Sequence, residues 1–212
     1  DYESAVAALQ TVIGNEAMRF QFLKESKRLS EEEKEAYARL IEIGSGEGGM
    51  YAMTEAVAAS ALKTLSQLLE KHYGRKTILL IDEYDVPLEN AYFSGFYDRM
   101  VRLIRSLFES ALKTNNTLEF AVITGCLCIS KESIFTGLNN LNIISIMDTT
   151  YAEHFGFTQN EVDEMLAHYG LERNRDAVRS WYDGYQFGST EVYNPWSVIN
   201  YGNSCYKNKE AL

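Results

Sequence analysis

Three acids crowd one short stretch, "LIDEYDVP" (Leu80 to Pro87): Asp82 and Glu83 are adjacent, and Asp85 follows two positions on. They come straight after an apolar and β-branched run, Thr77 to Ile81. A strand that ends in carboxylates can present them to a hard divalent cation such as Mg²⁺, which keeps several waters and needs only one or two protein carboxylates. On that chemistry Asp82 holds one such water, while Glu83 points elsewhere and orients or deprotonates an attacking water. A plainer reading stands beside it. The strand simply ends in solvated acids, and Asp85 opens a turn before Pro87.

Groups of this kind work only if the surrounding elements hold them at a common edge. The residues before the acids read as helices. Val6, Leu9 and Val12/Ile13 recur at helical spacing from Tyr2 to about Ile13, with Gly14 placed as a stop. "SEEEKEAYARLIEIG" opens with Ser30 and carries Glu33 three positions on, a capping box with acids in the first turn. "GSGEGG", Gly44 to Gly49, reads as a break. A further helix is expected from about Thr54 to Tyr73, with Val57, Ala61, Leu65, Leu68 and Leu69 on one side and Gly74 after it.

Beyond the strand Thr77–Asp82, "FYDRMVRLIRSLFESALK" carries an apolar stripe of Met100, Leu103, Ile104, Leu107 and Ala111. "LEFAVITG" (Leu118 to Gly125) and "NIISIM" (Asn142 to Met147) read as second and third strands. Apolar strands separated by helices indicate an α/β fold whose parallel sheet is covered on both faces. Ligands gather at the carboxyl ends of such strands, which puts Thr124 at the same edge as Asp82 and Glu83. Apolar strand, then Asp-Glu, is the Walker B pattern of P-loop nucleotide hydrolases. Thr124 is then suited to sensing a γ-phosphate.

The tail differs in character. A capped helix is expected at Thr158 with Glu161, another over about Asp176 to Tyr182, and a hairpin around Gly188-Ser189-Thr190. Asn194-Pro195 then caps and starts a last helix, "WSVINY". A boundary near Thr150 divides the chain into a core of residues 1–150 and a C-terminal lid of residues 151–212, helical or winged-helix-like.

Composition narrows the function classes. Of the 212 residues 46% are hydrophobic and 24% charged, a profile that fits a globular protein. The formal net charge of −10 argues against surface-wide attraction to nucleic acid or anionic lipid. Nothing approaches about 18 consecutive apolar residues, so no membrane partner is expected. Cys126, Cys128 and Cys205 are too few and too uneven for a disulfide framework, which fits a cytoplasmic setting, and two thiols without clustered His make a poor zinc site.

"LIDEYDVPLENAY", "FAVITGCLCISKESIFTGLNNL", "HFGFTQNEVDEMLAHYG" and "WYDGYQFGSTEVYNPWSVINY" occur in that order. Together, from about Thr64 to Tyr201, they resemble a bacterial AAA-ATPase-like family whose members often carry a PD-(D/E)XK-type nuclease domain. The resemblance implies a P-loop NTPase-like core with Asp82 and Glu83 as the Walker B pair and Thr124 near the sensor position. It implies Mg²⁺ and ATP in the complete protein: Asp82 on the metal, Asp82 and Thr124 on the nucleotide side, Glu83 and Thr124 in catalysis.

Two departures matter. No G-x-x-x-x-G-K-[ST] occurs, and "GSGEGGMY" cannot supply a phosphate cradle. The family carries an "RRFGKS"-like loop near its beginning, and this chain begins with Asp1, so it reads as a piece of a longer protein that lacks the phosphate-loop strand. By itself it is expected to bind no cofactor and to be inactive. Second, "TGCLCI" stands where the family tends to read "TGILRI", so Cys128 replaces an Arg and removes a fixed positive charge.

Two other readings compete with an ATPase module. One is a degenerate P-loop scaffold for regulation or protein interaction. The other is a metal-dependent nuclease built on Asp82, Glu83 and Asp85, which the net charge disfavours. Arg99, Arg102 and Arg105 recur every third residue and form either a cationic stripe for phosphate or a partner, or ion pairs with Asp98 and Glu109. His72, His154 and His168 are isolated. Tyr182, Tyr185, Tyr193 and Tyr201, with Trp181 and Trp196, suggest a small aromatic core in the tail.

Overall fold

The computed structural model describes residues 1–44, 51–126, 134–135, 137–138 and 141–210. The chain divides into two compact units, Asp1–Asn140 and Leu141–Leu212. "GSGEGG" beyond Gly44, Cys128 and parts of "SIFTGLNN" lie outside the described residues.

In the first unit, helix α1 spans Tyr2–Met18, with the Asp1 carboxylate accepting the Ser4 N–H at 2.8 Å. The expected stop at Gly14 does not occur. Gly14 is buried inside α1, and a Cβ there would lie 2.5 Å from the Tyr51 ring. Its role is room for an aromatic side chain rather than termination. Helix α2, Glu31–Ile41, starts with both halves of the Ser30–Glu33 capping box. Lys71 reaches Glu33 at 2.7 Å, and this bond, with the Ser30 amide, holds the Glu33 carboxyl below its ordinary range. Helix α3 runs Glu55–Tyr73 from its Thr54 cap to Gly74, which closes it in the left-handed conformation at φ 68°.

Two apolar clusters fill this unit. Ile13, Ala17, Leu23, Tyr37, Leu40, Leu65 and Leu68 form one. Within it, the buried Tyr37 hydroxyl donates to the Ala17 carbonyl at 2.7 Å. Burial first, then the neighbouring Tyr51, pushes the Tyr37 phenol from 10.0 up to about 12. Between those values an unfolded chain loses this proton while the folded one keeps it, so stability falls as pH rises from 10 towards 12. Denaturant titrations across that window should show the fall in the parent. Tyr37→Phe is expected to flatten it, and to cost only about 0.5–1.5 kcal/mol at neutral pH, because the Ala17 carbonyl still accepts the Phe20 N–H at 3.0 Å.

The second cluster gathers around helix α5, Tyr97–Leu112. Its stripe of Met100, Leu103, Ile104, Leu107 and Ala111 is buried as the spacing predicts. Leu88 and Ala91 join it from a short helix, α4 (Val86–Phe93), which the sequence reading did not separate from the turn. Strands β1 (Thr77–Ile81) and β2 (Leu118–Ile123) pair in parallel, Ile78 opposite Phe120 and Leu80 opposite Val122. Ile81 and Ile123 pack inward on the α5 cluster. Among the described residues the other face is exposed at Ile78, Leu80, Phe120 and Val122, Leu80 by 75%. The α/β character and parallel pairing therefore match the sequence, while the expected cover on both faces does not.

The expected third strand is also corrected. Residues 142–147 run as irregular chain and turn, with Ile143, Ile144, Ile146 and Met147 exposed. The Asp148 carboxylate takes the Ser145 N–H at 2.8 Å and the Ser145 hydroxyl at 3.0 Å. A side chain that binds the backbone locally competes with any ladder, and an apolar run becomes a strand only where a neighbour pairs with it.

The second unit packs helix α6 (Gln159–His168, with both halves of the Thr158–Glu161 box), helix α7 (Arg175–Tyr182), the hairpin β3–β4 (Asp183–Phe187 and Thr190–Tyr193) and helix α8 (Pro195–Glu210). Asn194 caps α8 by accepting the Ser197 N–H at 3.1 Å. Its core is largely aliphatic, Val162, Leu166, Leu171, Val178 and Val198 around the buried Tyr193. Tyr182 and Tyr201 pack against it, whereas Trp181, Tyr185 and Trp196 are exposed. The aromatic core is thus smaller than the composition suggests. Among the described residues no helix is long and apolar enough to cross a membrane.

Candidate functional site

Parallel strands end at the same edge, and the β1–β2 ladder continues one step past both. The Thr124 N–H donates to the Ile81 carbonyl at 2.9 Å, and the Tyr84 N–H to the Thr124 carbonyl at 3.1 Å. This places Asp82 and Thr124 side by side on neighbouring strand ends. The Thr124 hydroxyl donates to Asp82 Oδ1. Both side chains are exposed, as is Glu83.

Glu83 has φ 53°, in the left-handed region that side chains with a Cβ rarely adopt. Such a residue costs about 1–2 kcal/mol and persists only where its surroundings impose it. Here the chain reverses: the Val86 N–H donates to the Glu83 carbonyl at 3.2 Å. The Asp85 carbonyl then accepts the Leu88 and Glu89 N–H groups, both at 2.9 Å, and α4 begins with Pro87 in its first turn. Asp85 therefore opens a helix as well as a turn.

The turn is braced from two sides. The Tyr84 ring stands 5.3 Å from Phe135 and 6.3 Å from Phe108, edge-on to each, and Phe108 and Phe135 stack at 6.0 Å. Asp85 is buried, only 4% exposed. On the other side lies Gly125, where a Cβ would fall 2.5 Å from the Tyr84 ring and 2.8 Å from Asp85 Oδ1. The bare backbone of Gly125 thus lets the acid turn lie against the end of β2. Sequence reasoning assigned no role to Tyr84, Gly125 or Phe135. The available signal was a Gly directly after the strand-end Thr.

The three acids do not converge. Among the described residues no three His, Cys, Asp or Glu side chains gather where they could hold a metal ion. A nuclease centre built on Asp82, Glu83 and Asp85 therefore has no ligand set here. One exposed carboxylate, braced by a hydroxyl, does suit an ion that keeps most of its waters.

Other candidates resolve differently. Arg99 pairs with Glu3 at 3.5 Å and lies 3.6 Å over the Tyr2 ring, not with Asp98 as the spacing suggested. His72 Nδ1 is 2.8 Å from the Ser26 hydroxyl, with the ring among Phe22 and Tyr73, a packing role. His168 ends α6, and His154 ends a short 3₁₀ turn, Ala152–His154. Cys126 and Cys205 are free thiols.

The model of a family described as "Predicted AAA-ATPase" matches residues 2–135, more than half of the chain. The "uncharacterized protein in vnfD 5′ region" of Azotobacter chroococcum mcd 1 is 34% identical over 127 residues, 59% of this chain and 24% of that relative. The matched part of the chain thus spans about a quarter of the length of that relative. No solved structure matches.

Proposed function

From the premise that this chain belongs to the predicted AAA-ATPase family, we propose that the complete protein is an ATPase and that the acidic strand edge is its Mg²⁺·ATP site. The observation that carries the reading is the Thr124–Asp82 hydrogen bond, which joins two side chains from adjoining parallel strand ends. Asp82 would hold the ion through its water shell. Mg²⁺, when bound, neutralises charge on the phosphates. The Thr124 hydroxyl fixes the Asp82 carboxylate and stands ready to report on the terminal phosphate. Glu83 is free to act on water: among the described residues its side chain makes no hydrogen bond or ion pair.

The exposed face of Ile78, Leu80, Phe120 and Val122 supports the same reading, because parallel sheets are ordinarily covered on both sides. These 212 residues hold no phosphate-binding loop. The grip on the triphosphate, and the layer over this face, then fall to segments outside them, and no turnover is expected from this stretch alone. A degenerate P-loop scaffold is the second reading, favoured by Cys128 standing at the family's Arg position. The experiment that separates them is nucleotide binding by the complete protein, with and without Mg²⁺. Binding that needs Mg²⁺ and Asp82 supports the ATPase; no nucleotide binding supports the scaffold.

A further inference from the structure

We propose that the first unit carries a second site, for a phosphate-bearing anion, in the cleft between the first turn of α3 and the N-terminal half of α5. The cleft has a volume of about 370 Å³, within the range of small-ligand sites. Arg99, Arg102 and Ser106 line one wall. They stand at i, i+3 and i+7 along α5 and so share a face. Ala56 and Ala59 line it from α3, small enough to leave the room open.

The charge on these walls is unevenly committed. Arg99 is held over the Tyr2 ring and near Glu3. Arg102 is exposed, and among the described residues it makes no hydrogen bond or ion pair. Glu55 is the acid that lines the cleft, and the Tyr2 hydroxyl donates to it at 2.9 Å. Burial, then that bond to Glu55, holds the Tyr2 phenol above its ordinary pKa, so it stays a donor.

The start of α3 adds to the same field. The Thr54 side chain takes the Val57 N–H, and the first intrahelical bond runs from the Ala58 N–H to the Thr54 carbonyl. The Glu55 and Ala56 amides thus belong to the helix-start donors without an intrahelical acceptor. Two guanidiniums, the Ser106 hydroxyl and a helix start line one small cleft, with Glu55 held by the Tyr2 hydroxyl, and these donors suit a phosphate-type anion. None of the residues lining the cleft belongs to the strand edge, so the inference does not depend on the ATPase reading.

Calorimetric titration of the complete protein with inorganic phosphate, at constant ionic strength and with an excess of a non-hydrolysable ATP analogue, tests this. Saturable binding that persists with the analogue and weakens about tenfold or more in Arg102→Gln is expected, since a charge-assisted bond is lost. Ser106→Ala should weaken it a fewfold. Arg102 and Ser106 are exposed, so both variants should melt like the parent, which the same samples verify. The proposal is overturned if phosphate does not saturate, if the analogue removes all binding, if acetate binds as well as phosphate, or if Arg102→Gln leaves the affinity unchanged.

Discussion

Replacing Glu83 with Gln in the complete protein is expected to lower ATP turnover by about 10²–10⁴-fold, the usual contribution of a positioned general base. ATP affinity should stay within about threefold, because the amide keeps the shape of the carboxylate and Asp82 is untouched. The left-handed backbone of Glu83 sets the test apart from a folding effect. Gln carries the same backbone penalty as Glu, so the two proteins should unfold at the same denaturant concentration. Steady-state turnover with matched unfolding curves decides it. Unchanged turnover removes Glu83 from the chemistry.

Gly125→Ala should produce the largest structural effect of any single methyl at this edge. The added carbon would meet the Tyr84 ring at 2.5 Å and Asp85 Oδ1 at 2.8 Å. The Tyr84 ring cannot simply swing away, because Phe108 and Phe135 flank it. Overpacking of this kind costs about 1–3 kcal/mol, read as a lower unfolding midpoint at unchanged slope. Turnover should fall as well, since Thr124 and the acid turn share the displaced backbone. Truncating the ring relieves the clash, so Gly125→Ala in a Tyr84→Ala background should cost less than in the parent, a coupling visible in a double-mutant cycle. Equal costs in the two backgrounds would place the strain elsewhere.

What was legible in the sequence was local. Ser30 with Glu33, Thr158 with Glu161 and Asn194 before Pro195 state their caps within four residues, and the structure has all three. The α5 stripe repeats at helical spacing, so its buried face was readable. Gly14 misled because a glycine's sequence position does not say whether it ends a helix or admits the Tyr51 ring. The run 142–147 misled for a related reason: strand formation depends on a partner, and the Ser145–Asp148 turn wins locally. At the site, the order Asp82, Glu83 and Thr124 was visible as residue types at strand ends. The Tyr84–Phe108–Phe135 brace and its dependence on Gly125 are contacts between distant segments, which no local pattern encodes.

Binding of a non-hydrolysable ATP analogue to the complete protein, measured by calorimetry with Mg²⁺ and again with EDTA, tests the central claim most directly. The parent should bind at least about tenfold more tightly with Mg²⁺, and Asp82→Ala should remove that difference, as expected when the carboxylate that holds the ion is lost. Mg²⁺-dependent binding that survives intact in Asp82→Ala would contradict the account.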